Sequence, residues 1–116
     1  MAVDPDTWFS ARLGADDDVP AAAAPREERA LVSRAIRRDD AALGAIYARH
    51  APAIQRFLRD LVGCPAAAAD ATQETFVRAF RRIDTLRDED RLTPWLFGIA
   101  RNVALEVQKA RRVRAR

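Results

Sequence analysis

The sequence predicts an all-α domain, a compact bundle of about four helices. Large apolar residues recur at three- and four-residue steps over most of the chain after residue 25. It contains neither an alternating run of β-branched residues nor an Asn-Gly or Asp-Gly hairpin signal. The length of 116 residues suits one small domain. Alanine supplies much of the 49% hydrophobic fraction, so we expect a thin core.

The two ends of the chain differ in charge. Residues 1–25 carry one arginine against five aspartates, with three prolines and a run of four alanines. They show no sustained apolar stripe, which predicts a mostly disordered acidic lead. Residues 94–116 carry six basic residues against Glu106 alone. The positive charge is therefore concentrated at the C-terminal end of a helical domain predicted over residues 26–112.

The first two helices are predicted from cap and stop signals. A helical pattern begins at Arg26, and either Asp39 or Asp40 is the expected N-cap of a second, longer helix. The sequence Gly63-Cys64-Pro65 is a clear stop for that helix. Pro52 lies inside it and lacks a backbone donor, so we expect the helix to be kinked or divided there.

Two further helices are separated by a charged segment. The third is predicted from about Ala66 to Ile83, with an apolar face formed by Ala69, Thr72, Phe76, Val77, Phe80 and Ile83. The segment Asp84 to Leu92 alternates charges and predicts a loop. Thr93 is the expected N-cap of the fourth helix, and Pro94 its first residue, with the helix running to about Arg112.

The fourth helix is predicted to have two different sides. One is an apolar stripe of Leu96, Ile99, Ala100, Val103 and Val107; the other holds Arg101, Leu105, Gln108 and Arg112. Core packing is favoured for Trp95, whereas core and surface are equally open for Phe97. Arg101 and Arg112 would lie about 16 Å apart, enough to follow several phosphates. A solvated basic end that complements the helix dipole is the alternative.

Two motifs carry a resemblance to a known family. The first is DATQETFVRAFR at residues 70–81, and the second is WLFGIARN at residues 95–102, after the charged loop. In this order and at this separation they resemble region 2 of the extracytoplasmic-function (ECF) sigma factors of bacterial RNA polymerase. The resemblance extends over roughly Asp39 to Arg112 and implies the fold of sigma region 2.

The resemblance implies a polymerase-binding helix. In the family, the helix with the D-x-x-Q-E-x-F motif docks on the clamp-helix coiled coil of the polymerase β′ subunit. The implied contact residues are Asp70, Gln73, Glu74, Phe76, Arg78 and Arg81. Phe76 and Phe80 would be divided between core and interface. A mixed face of acids, amide and arginines is able to pair with a charged coiled coil.

The resemblance also implies a promoter-binding surface for the −10 element. The loop would receive a base flipped from the non-template strand, and the fourth helix would contact the flanking bases and backbone. The implied contact residues are Asp84, Thr85, Leu86, Arg87, Arg91, Trp95, Phe97, Arg101, Asn102, Lys109 and Arg112. Flipping a base costs a few kcal/mol, so the protein must supply a pocket and backbone contacts that offset it.

The sequence departs from the family pattern in three places. Glu106 stands where the family commonly has Asp, and its longer side chain is expected to shift contacts near the DNA. The loop carries the acids Asp84, Asp88, Glu89 and Asp90, which sit awkwardly beside phosphate and put its base preference in doubt. A helix-turn-helix for the −35 element does not follow, so we expect this to be one domain of a longer protein, with residues 113–116 beginning a basic linker.

Other functional classes find little support. Cys64 and His50, the sole residues of their types, cannot make an ordinary four-ligand zinc site, and the missing Cys-x-x-Cys argues against a zinc-containing anti-sigma factor. Motifs for phosphate loops, zinc proteases or serine hydrolases are absent from the sequence. We therefore expect neither an enzyme nor a bound cofactor or metal. A cytoplasmic location without membrane insertion is expected, since signal-peptide and membrane-span patterns are missing.

Two functional hypotheses follow. The first is a transcription initiation factor domain that binds the polymerase core and recognises and helps to melt the −10 element. An anti-sigma factor is a further possible partner, since family members are often held inactive by one. The second is a helical protein-interaction adaptor whose basic end binds nucleic acid without sequence preference. Base preference separates the two, because contacts to phosphate alone carry no sequence information.

Overall fold

The computed structural model describes residues 26–115 as four α-helices joined by short connections. The prediction of a disordered segment at residues 1–25 lies outside the described residues, as does Arg116. The helices are α1 (Arg26–Ile36), α2 (Asp40–Val62), α3 (Pro65–Arg81) and α4 (Leu92–Arg114). Two 3-10 turns, Ile83–Thr85 and Glu89–Arg91, connect α3 to α4. The predicted all-α class is confirmed.

Helix α2 begins and ends at the predicted signals. One carboxylate oxygen of Asp39 accepts hydrogen bonds from the backbone N–H groups of Ala41 at 3.0 Å and Ala42 at 3.4 Å. Asp39, and not Asp40, is therefore the N-cap. At the other end Gly63 has φ 72°, the left-handed conformation that glycine adopts without steric penalty. These two residues set the length of α2 by local backbone chemistry.

Pro52 does not divide α2, so the division that the sequence allowed there is absent. The helix is continuous from Asp40 to Val62, and Pro52 lies on its exposed side. Ile46 and Ile54, which lie before and after the proline in sequence, are each at most 1% exposed. The packing of these two turns against the rest of the bundle offsets the missing backbone hydrogen bond.

The fourth helix starts earlier than the sequence indicates. It begins at Leu92, with Arg91 at the N-cap position, and Thr93 lies inside the first turn, so the prediction of Thr93 as N-cap is wrong. Leu92 is only 1% exposed. Because Leu92 is buried and directly follows the 3-10 turn that ends at Arg91, the helical backbone of α4 already begins at Leu92. The segment predicted as a loop therefore contains two short turns.

The core lies around α2, which packs against each of the other three helices. The largest fully buried apolar side chains of the core come from α1, α2, α4 and the first 3-10 turn. They are Val32, Ile46, Ile54, Leu58, Ile83, Leu92 and Leu96. Phe57 on α2 meets Phe97 on α4 edge to face, with ring centroids 5.0 Å apart. Within residues 26–115 the helices are all too short or too polar to cross a membrane.

Helix α3 buries a face that agrees only in part with the predicted one: Thr72, Phe76 and Ile83 are buried as expected. Ala69 is exposed and Val77 is 40% exposed, so their assignment to the apolar face is wrong. The buried residues are Ala68, Ala71, Thr72, Thr75, Phe76 and Ala79. The hydroxyls of Thr72 and Thr75 each donate to the carbonyl four residues earlier at 2.7 Å. Because these hydroxyls are satisfied within the helix, the threonines can be buried beside small alanines.

Candidate functional site

The exposed side of α3 gathers five of the twelve residues of the first motif into one surface. Asp70, Gln73, Glu74, Val77 and Arg81 are all exposed and follow one another at three- and four-residue steps. Residues at this spacing share one side of a helix. We call these five residues the α3 face. It combines two acids, an amide and an arginine around one exposed valine.

Two residues of the α3 face are held by neighbouring side chains. Gln73 Nε2 donates to the hydroxyl oxygen of Tyr47 on α2 at 2.6 Å. Glu74 accepts a hydrogen bond of 2.8 Å from Nε of Arg78. Tyr47 itself packs edge to face on Phe76, with centroids 4.9 Å apart. The polar groups of the face are thus partly oriented by contacts within the domain.

Arg78 connects the α3 face to α4. Its two terminal nitrogens donate to the two carboxylate oxygens of Glu106 at 2.7 and 2.8 Å, a bidentate pair. Hydrogen bonds from Arg78 hold the pKa of Glu106 below its ordinary value. Glu106 and then Glu74 raise the pKa of Arg78. Glu106, expected to alter contacts near DNA, instead pairs within the domain.

Phe76 and Phe80 take different positions. Phe76 is 2% exposed, and Phe80, with its ring centroid 5.7 Å from that of Phe76, is half-buried. The implied contact of Phe76 with the polymerase therefore needs correction, because its ring is enclosed by the bundle. Phe76 supports the α3 face from below.

The segment between α3 and α4 forms a surface pocket with the start of α4. We call it the loop pocket; its volume is about 510 Å³, and it is lined by Thr85, Leu86, Arg87, Asp88, Arg91, Pro94 and Trp95. This volume falls within the range of about 300–1,000 Å³ that is usual for small-ligand pockets. Leu86 and Trp95 give it apolar wall, and Arg87 and Arg91 give it positive charge. Five of the residues implied to bind DNA therefore meet in one place.

Two other residues implied to bind DNA lie elsewhere. Phe97 is 9% exposed and packs on Phe57, so the implied base contact is corrected to a place in the core. Asp84 is exposed, and its carboxylate lies 3.9 Å from the guanidinium of Arg38, at the connection between α1 and α2. Neither residue contributes to the lining of the loop pocket.

The second half of α4 is a basic arm that lies mainly at the surface. Asn102, Lys109 and Arg112 are exposed, and Arg101 is half-buried. The arm is fastened to the end of α2, because Gln108 Nε2 donates to the carbonyl of Leu61 at 2.8 Å. The Arg111 guanidinium likewise donates to the carbonyl of Val62. These bonds use C-terminal carbonyls of α2 that its own helix leaves open.

The loop acids do not stand free beside the pocket. Glu89 accepts a hydrogen bond of 2.6 Å from the hydroxyl of Ser33 on α1. Asp90 lies 3.6 Å from Nε of Arg29, also on α1. Asp88 accepts from the backbone N–H of Asp90 at 2.9 Å and so caps the second 3-10 turn. Glu89 and Asp90 are therefore engaged by α1, whereas Asp88 stays in the lining of the pocket.

Arg38 holds the first part of the same segment. It has φ 66°, a left-handed backbone that is uncommon for a residue other than glycine. Its guanidinium donates to the carbonyl of Phe80, and to that of Arg81 at 3.3 Å. These carbonyls belong to the last turn of α3, where the helix leaves them open.

Sequence reasoning missed the residues that support the two surfaces. Ser33 and Glu89 are 56 positions apart, and Arg38 and Phe80 are 42 apart, so local patterns carried no signal for either contact. Val77 is different. Its spacing of seven from Asp70 and four from Gln73 would have placed it on the exposed side, had the polar residues been used to orient the helix.

Comparison with known proteins decides the family. The sequence pattern of the Sigma-70 region 2 family matches residues 46–114. The chain belongs to that family. The matched range of this region 2 domain includes the α3 face, the loop pocket and all of α4, whereas α1 lies before it.

Named relatives of the region 2 domain are ECF sigma factors. It is 39% identical to the ECF RNA polymerase sigma factor BldN of Streptomyces coelicolor over 85 residues, which are 72% of this chain and 32% of that protein. It is 35% identical to ECF sigma factor SigL of Mycobacterium tuberculosis over 86 residues, 73% of this chain and 49% of SigL. The resemblance to ECF region 2 is thereby confirmed. The chain spans between about a third and a half of these relatives, and no solved structure matches it.

Proposed function

We propose that this domain belongs to a transcription initiation factor that binds the RNA polymerase core and recognises and helps to melt the promoter −10 element. The α3 face binds the β′ clamp helices, and the loop pocket and α4 bind the non-template strand. The domain acts without chemistry or a cofactor of its own, in the cytoplasm with the polymerase. The observation that carries the proposal is that the first motif forms one exposed surface, the α3 face, while the loop after it and Trp95 of the second motif form another, the loop pocket.

The composition of the α3 face supports a protein partner. Binding energy at protein interfaces is concentrated in a few central side chains surrounded by polar ones. Val77 is 40% exposed in the middle of such a ring, formed by Gln73, Glu74 and Arg81. An apolar centre with charges of both signs suits a coiled coil that carries charged side chains along its surface.

The composition of the loop pocket supports a flipped base. Bases stack on aromatic side chains, and Trp95, which is half-buried, lines the pocket. Arg87 and Arg91 at the same pocket supply positive charge for the strand that carries the base. Thr85 adds a hydroxyl that already donates to the Arg82 carbonyl at 2.6 Å and leaves its lone pairs for a base edge.

The exposed side of α4 supports contacts on either side of that base. An asparagine amide presents a donor and an acceptor together and can read a base edge, which suits Asn102. Arg101, Lys109 and Arg112 supply charge along the helix for successive phosphates. Specific and non-specific contacts are therefore assigned to different residues of one helix.

The first experiment measures binding of the chain to an isolated β′ clamp-helix fragment. We expect the parent to bind, and Gln73→Ala and Glu74→Ala to bind less tightly by about tenfold, as for interface residues that cost more than 1 kcal/mol. Gln55→Ala, at an exposed glutamine of α2, is the matched control and should bind like the parent. A parent chain that does not bind, or variants that bind as well as it does, would refute the polymerase-binding surface.

The second experiment selects single-stranded oligonucleotides from a randomised pool. The parent should enrich particular bases, and Asn102→Ala should alter that preference. Lys109→Ala and Arg112→Ala should weaken binding about equally for all sequences and lower the salt slope by about one unit each. Equal binding of selected and scrambled strands would instead indicate the adaptor with a non-specific basic end.

An anti-sigma factor is a further proposed partner. A protein that covers the α3 face would compete with the clamp-helix fragment for Gln73 and Glu74. Competition between a candidate anti-sigma factor and the fragment, measured on the parent chain, tests this directly. Simultaneous binding of both would place such a factor on another surface.

A further inference from the structure

Helix α1 contacts both of the 3-10 turns that shape the loop pocket. The second turn is bound by Ser33, which donates to Glu89 at 2.6 Å, and by Arg29, whose Nε lies 3.6 Å from the Asp90 carboxylate. Val32 and Ala35 on α1 are fully buried and anchor the helix in the core. The turn is therefore attached to a fixed element.

Arg38 binds the other end of the same segment. Its guanidinium donates to the carbonyls of Phe80 and Arg81 and lies 3.9 Å from the carboxylate of Asp84. Since Arg38 directly follows α1, the two ends of the segment between α3 and α4 are held from the same side.

The loop residues divide into two sets. Thr85, Leu86, Arg87, Asp88 and Arg91 line the pocket, whereas the carboxylates of Asp84, Glu89 and Asp90 meet side chains of α1 and its following turn. Further carboxylates in the lining would repel the phosphates of a bound strand. Contact with Arg29, Ser33 and Arg38 holds these three carboxylates outside the lining and leaves Asp88 as its one acid.

We infer that α1 and the turn after it determine which base the loop pocket recognises. They do so by holding the loop in place, with Arg29, Ser33 and Arg38 as positioning residues. They hold the segment in the shape that opens the loop pocket and keep three of its four acids, Asp84, Glu89 and Asp90, out of the lining of the pocket. The inference rests on the proposed function, because it concerns the same pocket. It assigns a role to residues that precede the matched range 46–114.

The test compares three variants with a matched control. Ser33→Ala removes the hydroxyl that donates to Glu89, and Ser33→Thr restores one. Arg38→Gly removes the guanidinium while a glycine keeps the left-handed backbone at this position without strain. Arg37→Ala removes an exposed arginine next to it and is the control for charge.

Three measurements are made on each protein: amide hydrogen exchange of residues 84–91, base preference in selection from a randomised single-stranded pool, and affinity for the β′ clamp-helix fragment. For Ser33→Ala and Arg38→Gly we expect loop exchange to rise, and the ratio between favoured and disfavoured bases to fall, by about threefold to tenfold, the effect of one hydrogen bond. Fragment affinity should stay at the parent value. Ser33→Thr and Arg37→Ala should match the parent in all three.

The outcomes separate this inference from the function on which it rests. If Ser33→Ala and Arg38→Gly show the loop exchange or the base preference of the parent, the positioning role is overturned. The proposed function would still stand in that case, because the parent itself prefers particular bases. A parent chain that shows no base preference would refute the proposed function, and the inference with it. Loss of fragment affinity in Ser33→Ala would also overturn it, because the effect would then be a general loss of structure.

Discussion

The α3 face and the loop pocket are built by different means. The α3 face is one side of a continuous helix, so the helical repeat alone brings Asp70, Gln73 and Val77 together. The loop pocket is made of two short turns and the start of α4, and residues from α1 hold those turns in place. A surface on a helix is fixed locally, whereas a surface on a loop depends on distant parts of the chain.

The two surfaces also differ in charge. The α3 face exposes acids, an amide and a basic group together, which suits another protein. Around the loop pocket, Arg87 and Arg91 line the cavity, while the carboxylates of Glu89 and Asp90 contact α1. Asp88 is the one acid in that lining, although the loop contains four acids between residues 84 and 90. Contacts with α1, which the linear charge pattern does not show, decide which of the loop charges line the pocket.

The largest loss of stability is expected for a substitution at the point where the α3 face and the loop pocket join. Ile83 is fully buried at the start of the first 3-10 turn, directly after α3. Ile83→Ala should lower the free energy of unfolding by about 2–5 kcal/mol, measured by urea denaturation, because it leaves a cavity. Hydrogen exchange should increase more in residues 84–91 than in α3. Equal increases in both would show that the loop is no more dependent on tertiary contacts than the helix.

A charge placed in the α3 face tests whether its apolar centre matters. Val77→Asp should weaken binding to the β′ clamp-helix fragment by about 30-fold, corresponding to about 2 kcal/mol for a central interface residue. The unfolding free energy should change little, since Val77 is 40% exposed. Val113→Asp, at a valine 53% exposed near the end of α4, is the control and should bind the fragment like the parent.

Two glycines of α2 test the local control of helix ends. Gly63→Ala should lower the free energy of unfolding by about 1–2 kcal/mol, because φ is 72° there and an alanine in the left-handed region is strained. Gly44→Ala, inside the helix, should raise it by about 0.5–1 kcal/mol. A Cβ at either position would have no described atom within 4 Å, so backbone conformation alone separates them. Thermal or urea denaturation gives both values.

The smallest loss of stability is expected for removing the charge of Glu106, which pairs with Arg78 and so connects α4 to α3. The pKa of Glu106 is lowered by hydrogen bonds from Arg78, so its contribution to stability is present above the ordinary glutamate pKa of about 4.3 and is lost as pH falls through the lowered pKa. Glu106→Gln should be less stable than the parent at neutral pH by under about 1 kcal/mol, because the pair is screened by solvent.

The pH profile distinguishes this pair from other carboxylates. The stability difference between parent and Glu106→Gln should vanish at acid pH. Asp39, whose pKa is also lowered, first by its hydrogen bond with Arg34, is present in both proteins and cancels in the difference. A difference that persists unchanged below the lowered pKa would mean that Glu106 stabilises the domain by packing and not by its charge.

Sequence patterns predicted the features that depend on neighbouring residues. The all-α class, the N-cap Asp39 and the stop at Gly63 are each confirmed, because capping and left-handed glycine involve groups within a few positions of one another. The motif of residues 70–81 indicated the family for a similar reason, since its order and spacing are written directly in the chain.

Tertiary packing decided the features that local patterns misplaced. Pro52 remains inside a continuous helix because the turns around it are buried, and α4 starts at Leu92 because that side chain enters the core. Phe97, which the apolar stripe left undecided, packs on Phe57, 40 positions earlier in the chain.

The sequence by itself determined the four helices, both caps of α2 and the family. Only the tertiary structure decided that Glu106 pairs with Arg78 and that α1 binds Glu89 and Asp90 of the loop. The physical reason is range. Backbone hydrogen bonds and caps act over about four positions, whereas side-chain contacts between helices join residues whose separation along the chain leaves no periodic trace.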